Sequence, residues 1–165
     1  MLDLELGGKV AIITGGSEGL GRAAARRLAA EGARVAICAR RPDVLERAAA
    51  GIRAAGGQVL ARSVDVTKAD QIETFVNEVV REWGGVDILV NNAGTSAAAS
   101  FEAVDDAAWL HDLELKLLSA VRCCRLSIPH MKKRGGGRII NVTNLGAKTP
   151  AARGLPTSVS RAAGI

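Results

Sequence analysis

The feature that most constrains the fold of this chain is a short apolar run that leads directly into a glycine-rich turn. Residues 9–21 read Lys-Val-Ala-Ile-Ile-Thr-Gly-Gly-Ser-Glu-Gly-Leu-Gly, and the β-branched run at positions 10–13 predicts a buried strand. Gly15, Gly19 and Gly21 follow, and the alanine-rich sequence behind them predicts a helix. In this context glycines allow a tight turn, close approach of the backbone to a diphosphate, and close packing of the helix on the strand. Because a helix N-terminus also offers free N–H groups to anions, the stretch predicts a phosphate-binding turn.

Apolar segments alternate with helical patterns along the whole chain. Strands are expected at 9–14, 34–38, 58–64, 86–90 and 138–142, and helices at about 19–31, 42–55, 68–83, 105–133 and 157–165. This alternation predicts an α/β fold, a doubly wound Rossmann-type parallel sheet in the order 3-2-1-4-5 with helices on both faces. Residues 1–165 are expected to form a single domain whose binding crevice lies between the first and fourth strands.

Composition and charge narrow the classes of partner. The net charge of +5 comes from 22 basic residues that are scattered without a recognition motif, so no nucleic-acid binding is expected. No apolar run reaches the roughly 20 residues of a membrane span, and the N-terminus lacks the basic and apolar regions of a signal peptide. Cys38, Cys123 and Cys124 form no C-x-x-C pair, which favours reduced thiols and argues against a metal site. The sequence therefore predicts a cytoplasmic protein that binds neither a membrane nor a metal ion.

A second unusual motif, Asn-Asn-Ala-Gly at 91–94, follows the fourth predicted strand. Together with Thr-Gly-Gly-Ser-Glu-Gly-Leu-Gly at 14–21, it resembles the short-chain dehydrogenase/reductase (SDR) family. The likeness extends from about residue 7 to the end and includes Asp-Val at 65–66 and Arg-Ile-Ile-Asn-Val at 138–142. The resemblance implies a Rossmann fold that binds NAD or NADP, and an oxidoreductase that transfers a hydride between an alcohol and a carbonyl.

The resemblance also implies a cofactor site spread over three segments, one for each part of the dinucleotide. The implied positions are Gly15, Ser17, Glu18, Gly19, Leu20 and Gly21 for the diphosphate, Asp65 and Val66 for the adenine, and Asn91, Ala93 and Gly94 for the nicotinamide ribose. For the two asparagines, an alternative interpretation is a polar strand end that ties loops together.

The end of the second strand bears on the choice between the two cofactors. NAD-binding Rossmann proteins use an acidic residue there for the ribose hydroxyls, whereas arginine accommodates the 2′-phosphate of NADP. Arg40 stands at this position and no acid does, which favours NADP over NAD. The alternative for Arg40 is a solvated side chain, and a carboxylate at Glu18 would repel a nearby phosphate.

The positions at which the family carries its catalytic residues are all substituted. Thr157 stands where the resemblance implies the tyrosine acid, Arg161 where it implies the lysine, and Asn144 where it implies the serine. Lys116 falls about where an asparagine is implied. A threonine hydroxyl is a far weaker acid than a phenol, and an arginine has no role as a proton donor. Lys116 would serve as an acid if it were buried, and the alternative is a solvated helix lysine.

The resemblance further implies that relatives continue beyond residue 165, with further strands and a segment that covers the substrate. We therefore expect the fifth strand to lie at a sheet edge, and the helix at 105–133 to present an apolar face through which subunits pair. Three interpretations remain open from the sequence. They are an oxidoreductase with an altered proton donor, a non-catalytic dinucleotide-binding pseudoenzyme, and a truncated fragment of an oxidoreductase.

Overall fold

A computed structural model describes residues 4–165 and shows a five-stranded parallel sheet in the order β3-β2-β1-β4-β5. The strands are β1 Val10–Thr14, β2 Arg34–Ala39, β3 Val59–Ser63, β4 Ile88–Asn91 and β5 Arg138–Asn141. The helices are α1 Gly19–Ala30, α2 Pro42–Ala54, α3 Ala69–Trp83, α4 Asp106–Leu113, α5 Ser119–Lys133 and α6 Thr157–Ala163. Short 3₁₀ turns lie at Phe101–Ala103 and Leu145–Ala147. The predicted fold class and strand order are confirmed.

The central strand β1 is buried over its whole length because helices cover both faces of the sheet. Ile12 points toward the α3 and α5 side, where it packs in a cluster with Phe75 and Cys123. The neighbouring Ile13 belongs to the opposite cluster, with Ala25 of α1 and Leu45 of α2. Alternate side chains of one strand therefore fill two separate core layers, as the two-residue period of a strand requires.

The single regular helix expected at 105–133 is wrong in one respect, because a π-helical segment at Glu114–Leu118 separates α4 from α5. The buried face of the π segment and α5 consists mostly of small or polar side chains, namely Leu115, Lys116, Ser119, Cys123, Ser127 and Met131. The apolar side chains that recur at helical spacing in this region, Trp109, Leu113, Leu117, Val121 and Leu126, include no buried one. Leu118, Val121 and Ile128 are each more than a third exposed, so an apolar face of this helical region is open.

Strand β5 lies at one edge of the sheet, as expected, and all four of its residues are exposed. Ile139 and Ile140 are its large apolar side chains on this open edge. Within residues 4–165, no helix is long and apolar enough to cross a membrane.

Asp87 is a buried carboxylate that joins the sheet to the end of α5, and its removal is expected to be costly. Its Oδ2 accepts from the backbone N–H of Val10 at 2.8 Å and from Arg134 Nη1 at 2.6 Å. Asp87→Ala should lower the free energy of unfolding by about 2–3 kcal/mol, because two donors lose a charged partner. Chemical denaturation measures this loss. The matched control is Asp43→Ala, whose ion pair with Arg47 is exposed and is worth less than about 1 kcal/mol. Equal losses in the two variants would contradict the assigned role of Asp87.

Candidate cofactor site

A cavity of about 670 Å³ opens at the carboxyl ends of β1, β2 and β4. Its size lies within the usual range for a small-molecule or cofactor site. Four stretches of chain line it: the turn after β1, the end of β2, the segment after β4, and the loop after β5 with Arg161 of α6. The crevice is thus at the point where the strand order reverses, as predicted from the topology.

The glycine turn forms one wall of this cavity, and its glycines have different reasons to be glycine. Gly15 and Gly19 have φ angles of 66° and 53°, in the left-handed region that other side chains disfavour. Gly21 is buried, and a Cβ atom on it would lie 2.3 Å from the carbonyl oxygen of Gly15 and 2.5 Å from Asn92 Nδ2. Gly21 therefore allows α1 to start directly against the end of β1.

The N-terminus of α1 is the part of the cavity best suited to an anion. Its N-cap residue is Glu18, whose side chain makes no capping hydrogen bond to the first turn. The first N–H groups of a helix have no partner within the helix, and here Ser17, Glu18, Gly19 and Leu20 line the cavity. These donors and the positive end of the helix dipole fit a diphosphate.

The motif at 91–94 ties the loops around the cavity together. Asn92 Nδ2 donates to the carbonyl oxygens of Thr14 and Gly15 at 3.0 and 3.1 Å, and Thr14 Oγ1 accepts from the N–H groups of Asn92 and Ala93. Asn91 is buried and donates to Asn141 Oδ1 at 2.9 Å, away from the large cavity. Ala93 and Gly94 line the cavity directly.

The end of β2 supplies a basic wall. Arg40 and Arg41 both line the cavity, and Arg41 forms an exposed ion pair with Glu18 across its mouth. The positive charge of Arg41 offsets the negative charge of Glu18, which weakens the repulsion of phosphate expected from the sequence. Arg40 lies beside this pair and makes no ion pair within residues 4–165.

Val66 is buried at the cavity wall, whereas the neighbouring Asp65 is engaged in a turn. Asp65 Oδ1 accepts from Thr67 N at 3.0 Å and from Thr67 Oγ1 at 2.8 Å. Partial burial opposes ionisation, but these hydrogen bonds and the charges of Arg40 and Lys68 outweigh it, so the pKa of Asp65 lies below its ordinary value.

A buried polar cluster, formed by Asp112, Lys116, Thr157 and Ser160, does not line the cavity but adjoins Arg161, which does. Lys116 Nζ pairs with Asp112 Oδ1 and donates to Thr157 Oγ1 at 2.9 Å. Ser160 Oγ donates to Asp112 Oδ2 at 2.6 Å. The side chains of Lys116 and Asp112 are 1% and 3% exposed, so the solvated-lysine interpretation is wrong.

Burial lowers the pKa of Lys116, although the hydrogen bond and charge of Asp112 act in the opposite direction. The nearby positive charge of Arg161 lowers the pKa of Lys116 further. Thr157 Oγ1 accepts from Lys116 and also from the backbone N–H of Ala97 at 2.9 Å. With two donors directed at this oxygen, the hydroxyl proton of Thr157 is left for another acceptor.

The structure brings three of the four predicted catalytic positions together. Lys116 and Thr157 are hydrogen-bonded to each other, and Arg161 adjoins them at the cavity wall. Arg161 Nη1 donates to the carbonyl oxygen of Val142 at 2.6 Å, and burial lowers the pKa of its guanidinium. Asn144 is exposed at the start of a 3₁₀ turn and does not line the large cavity.

Comparison with known proteins identifies the family. The sequence model of the short chain dehydrogenase family matches residues 9–165. The chain belongs to this family. It is 38% identical to the fatty acyl-CoA reductase of Acinetobacter baylyi over 160 residues, which is 94% of this chain and 54% of that protein. Among solved structures, the L-sorbose reductase of Gluconobacter frateurii, complexed with NADPH and L-sorbose, superposes with a TM-score of 0.95 at 39% identity. An actinorhodin polyketide ketoreductase with NADPH superposes at 0.90 with 36% identity.

The chain spans about three fifths of the length of these solved short chain dehydrogenases. The superposition on the sorbose reductase covers 98% of this chain and 62% of that protein. The superposition on the ketoreductase covers 94% of this chain and 60% of that protein. The family match runs from residue 9 to residue 165, a range that contains the glycine turn, the end of β2 and the four residues of the buried polar cluster.

Sequence reasoning missed two members of the buried cluster in this short chain dehydrogenase, Asp112 and Ser160. The separation of Asp112 from Lys116 by four residues is the usual spacing of an ion pair on a helix, and it was the available signal. Ser160 bonds to a residue 48 positions away and had no local signal. Within residues 4–165, no group of three His, Cys, Asp or Glu side chains could hold a metal ion.

Proposed function

We propose that this chain forms the cofactor-binding part of an NADP(H)-dependent oxidoreductase that interconverts an alcohol and a carbonyl compound. The observation that carries the proposal is a cavity with the N-terminus of α1, which its N-cap side chain does not cap, on one wall and Arg40 on the next. Relatives that are named as reductases, and solved relatives that hold NADPH, support it. The proposal concerns residues 4–165, because the related proteins are longer than this chain.

Each wall of the cavity would hold a different part of the cofactor. The turn from Gly15 to Gly21 would bind the diphosphate through backbone N–H groups, and Arg40 would bind the 2′-phosphate through charge-assisted hydrogen bonds. Val66 offers an apolar surface to the adenine, and Ala93 and Gly94 leave room for the nicotinamide ribose. A bound nicotinamide supplies or accepts a hydride, so a proton must come from, or return to, the chain.

For that proton we propose the buried pair of Thr157 and Lys116. In reduction of a carbonyl, the Thr157 hydroxyl gives its proton to the carbonyl oxygen, and Lys116 Nζ gives a proton to Thr157 Oγ1. The existing 2.9 Å hydrogen bond lies along this route. Burial favours the step because it lowers the pKa of Lys116, and Asp112 holds the lysine in place. Alcohol oxidation would use the same groups in reverse.

The second candidate function is a dinucleotide-binding protein without catalysis. It is favoured because the polar groups of the buried cluster form hydrogen bonds with one another. Asp112 accepts from both Lys116 and Ser160, and Lys116 is almost fully buried. Oxidation of NADPH with a panel of aldehydes and ketones separates the two functions. Turnover that is lost in both Lys116→Met and Thr157→Val supports the enzyme, whereas NADPH binding without turnover of any carbonyl supports the second candidate.

Cofactor preference provides the direct test of the Arg40 assignment. Arg40→Asp should weaken NADPH binding about 10- to 100-fold, since a charge-assisted hydrogen bond is replaced by repulsion. NADH affinity should change little, because NADH has no 2′-phosphate. Titration calorimetry measures both. The matched control is Arg47→Asp, which makes the same change of charge on α2 at a residue that does not line the cavity. An unaltered ratio of the two affinities in Arg40→Asp would refute the assignment.

The open face of the helical region offers a site of self-association. Leu110, Leu118, Val121 and Ile128 are exposed there, and exposed apolar patches mark interaction surfaces. We propose that two copies pair through this face. Light scattering after size exclusion tests this, and Val121→Glu should shift the population toward monomer.

A further inference from the structure

A carboxylate stands in the part of the cavity that is otherwise suited to anions. Within residues 4–165, Glu18 is the single acidic residue that lines the cavity, beside three arginines. Glu18 is the N-cap residue of α1, but its side chain makes no capping hydrogen bond. The carboxylate instead reaches across the mouth to Arg41, the N-cap residue of α2. Helix capping therefore does not account for an acidic side chain at this place.

The ion pair between Glu18 and Arg41 engages one of the two arginines that follow β2. Arg40, the first of them, makes no ion pair in the described part of the chain, whereas Arg41 is held by Glu18. The side chains of Arg41 and Glu18 are 62% and 58% exposed, so the pair is solvated. A solvated ion pair is weak. An anion that enters the mouth of the cavity can therefore open it, but it has to compete with Glu18.

The 2′-phosphate of NADP(H) needs more positive charge than Arg40 alone provides. A phosphate monoester carries a charge of about −1.5 to −2 at neutral pH. Arg40 brings a single positive charge, and that charge already acts on Asp65, whose pKa it helps to lower. Arg41 is the adjacent guanidinium, and it also lines the cavity. If Arg41 turns to the phosphate, the carboxylate of Glu18 loses its partner and repels the phosphate. Glu18 therefore weakens phosphate binding whether or not its ion pair opens.

We propose that Glu18 sets the degree of cofactor discrimination, because its carboxylate competes with the 2′-phosphate for Arg41. The chain then distinguishes NADPH from NADH less strongly than Arg40 and Arg41 alone would allow. Arg40 still gives the preference its direction. This inference rests on the proposed function of the cavity as a dinucleotide site, and it adds a residue that acts against the preferred cofactor.

Glu18→Gln tests the competition by removing the charge while keeping the size of the side chain. Titration calorimetry of the full chain with NADPH and with NADH should show that the ratio of the two affinities rises about 3- to 10-fold in favour of NADPH. NADH reports any effect on the diphosphate, which both cofactors share. The matched control is Glu46→Gln, which breaks an exposed ion pair with Arg53 away from the cavity and should leave the ratio unchanged.

Arg41→Gln should have the opposite effect on the same ratio. With Arg41 removed, the carboxylate of Glu18 faces the 2′-phosphate without a partner, so the ratio should fall about 3- to 10-fold. Adenosine 2′,5′-bisphosphate and adenosine 5′-monophosphate serve as shorter probes that lack the nicotinamide half. The two variants should change the ratio for this pair in the same directions, which locates the effect at the 2′-phosphate.

The outcomes separate this inference from the function on which it rests. A lower ratio in Glu18→Gln would overturn the inference, because Glu18 would then hold Arg41 in place for the phosphate. A ratio that does not change, even if both affinities rise, would also overturn it, since Glu18 would act on the diphosphate alone. In either case binding of both cofactors leaves the proposed function intact. Failure of the unaltered chain to bind NADPH and NADH would overturn the proposed function itself.

Discussion

Gly21→Ala is expected to destabilise the chain by about 3 kcal/mol, since overpacking of a well-packed site carries a cost of this order. The new methyl group would lie 2.3 Å from the carbonyl oxygen of Gly15 and 2.5 Å from Asn92 Nδ2. Neither neighbour is free to move, because Asn92 Nδ2 is bonded to the carbonyl oxygens of Thr14 and Gly15. The start of α1 must therefore shift away from β1, and the N–H groups that face the cavity shift with it. NADPH affinity should fall in the same variant.

Gly51→Ala is the matched control for this substitution. Gly51 lies within α2, its added Cβ atom would meet nothing within 4 Å, and it does not line the large cavity. Alanine there should stabilise the chain by about 0.5–1 kcal/mol because it favours the helix and restricts the unfolded chain. Chemical denaturation and NADPH titration on both variants make the comparison. Similar effects of the two substitutions would show that the close approach at Gly21 is not what holds the turn.

The sheet could be predicted from the sequence because its signals are local. Strands β1 and β4 are short runs rich in β-branched residues, and a parallel sheet buries such runs in its interior. Glycines such as Gly32 and Gly84 follow α1 and α3 with positive φ angles, which marks the helix ends. The strand order follows from these elements and the motifs at the ends of β1 and β4. All of this information lies within a few residues of each element.

The polar cluster could not be predicted in the same way, since its contacts join distant segments. Lys116 lies in a predicted helix whose apolar residues indicated a buried face that does not include position 116. The π segment contributes to the difference, since its extra residue per turn rotates the side chains that follow. Burial of Lys116 depends on Asp112 four residues before it and on Thr157 forty-one residues after it. A pattern along one helix contains no information about the second of these partners.

Asp112→Asn is expected to have the second large effect, a loss of about 3–5 kcal/mol in the free energy of unfolding at neutral pH. The substitution keeps the shape of the side chain and one hydrogen-bonding oxygen, but it removes the carboxylate that pairs with Lys116. Lys116 would then be a buried cation close to Arg161, without an ion-pair partner among residues 4–165. Removal of one partner from a buried ion pair costs more than the pair itself contributes, because the remaining charge is uncompensated.

The loss in Asp112→Asn should shrink as the pH rises. The pKa of Lys116 in the folded chain is already below its ordinary value of 10.5, and loss of Asp112 lowers it further. Between the folded and the unfolded pKa, the unfolded chain binds more protons than the folded chain, so stability from this group increases with pH. As the pH falls through the folded pKa, this contribution is lost. Denaturation at neutral pH and at about pH 9.5 should therefore show a smaller deficit at the higher pH.

The double variant Asp112→Asn/Lys116→Met decides whether the uncompensated lysine is the cause. Methionine has a similar length without the charge, so the double variant should recover much of the lost stability and should show no deficit that depends on pH. Recovery would be incomplete because Thr157 Oγ1 loses the hydrogen bond from Lys116. If the double variant were as unstable as Asp112→Asn at both pH values, the loss would have to come from the hydrogen bond between Ser160 and residue 112. The ion pair would then make no net contribution to the free energy of unfolding.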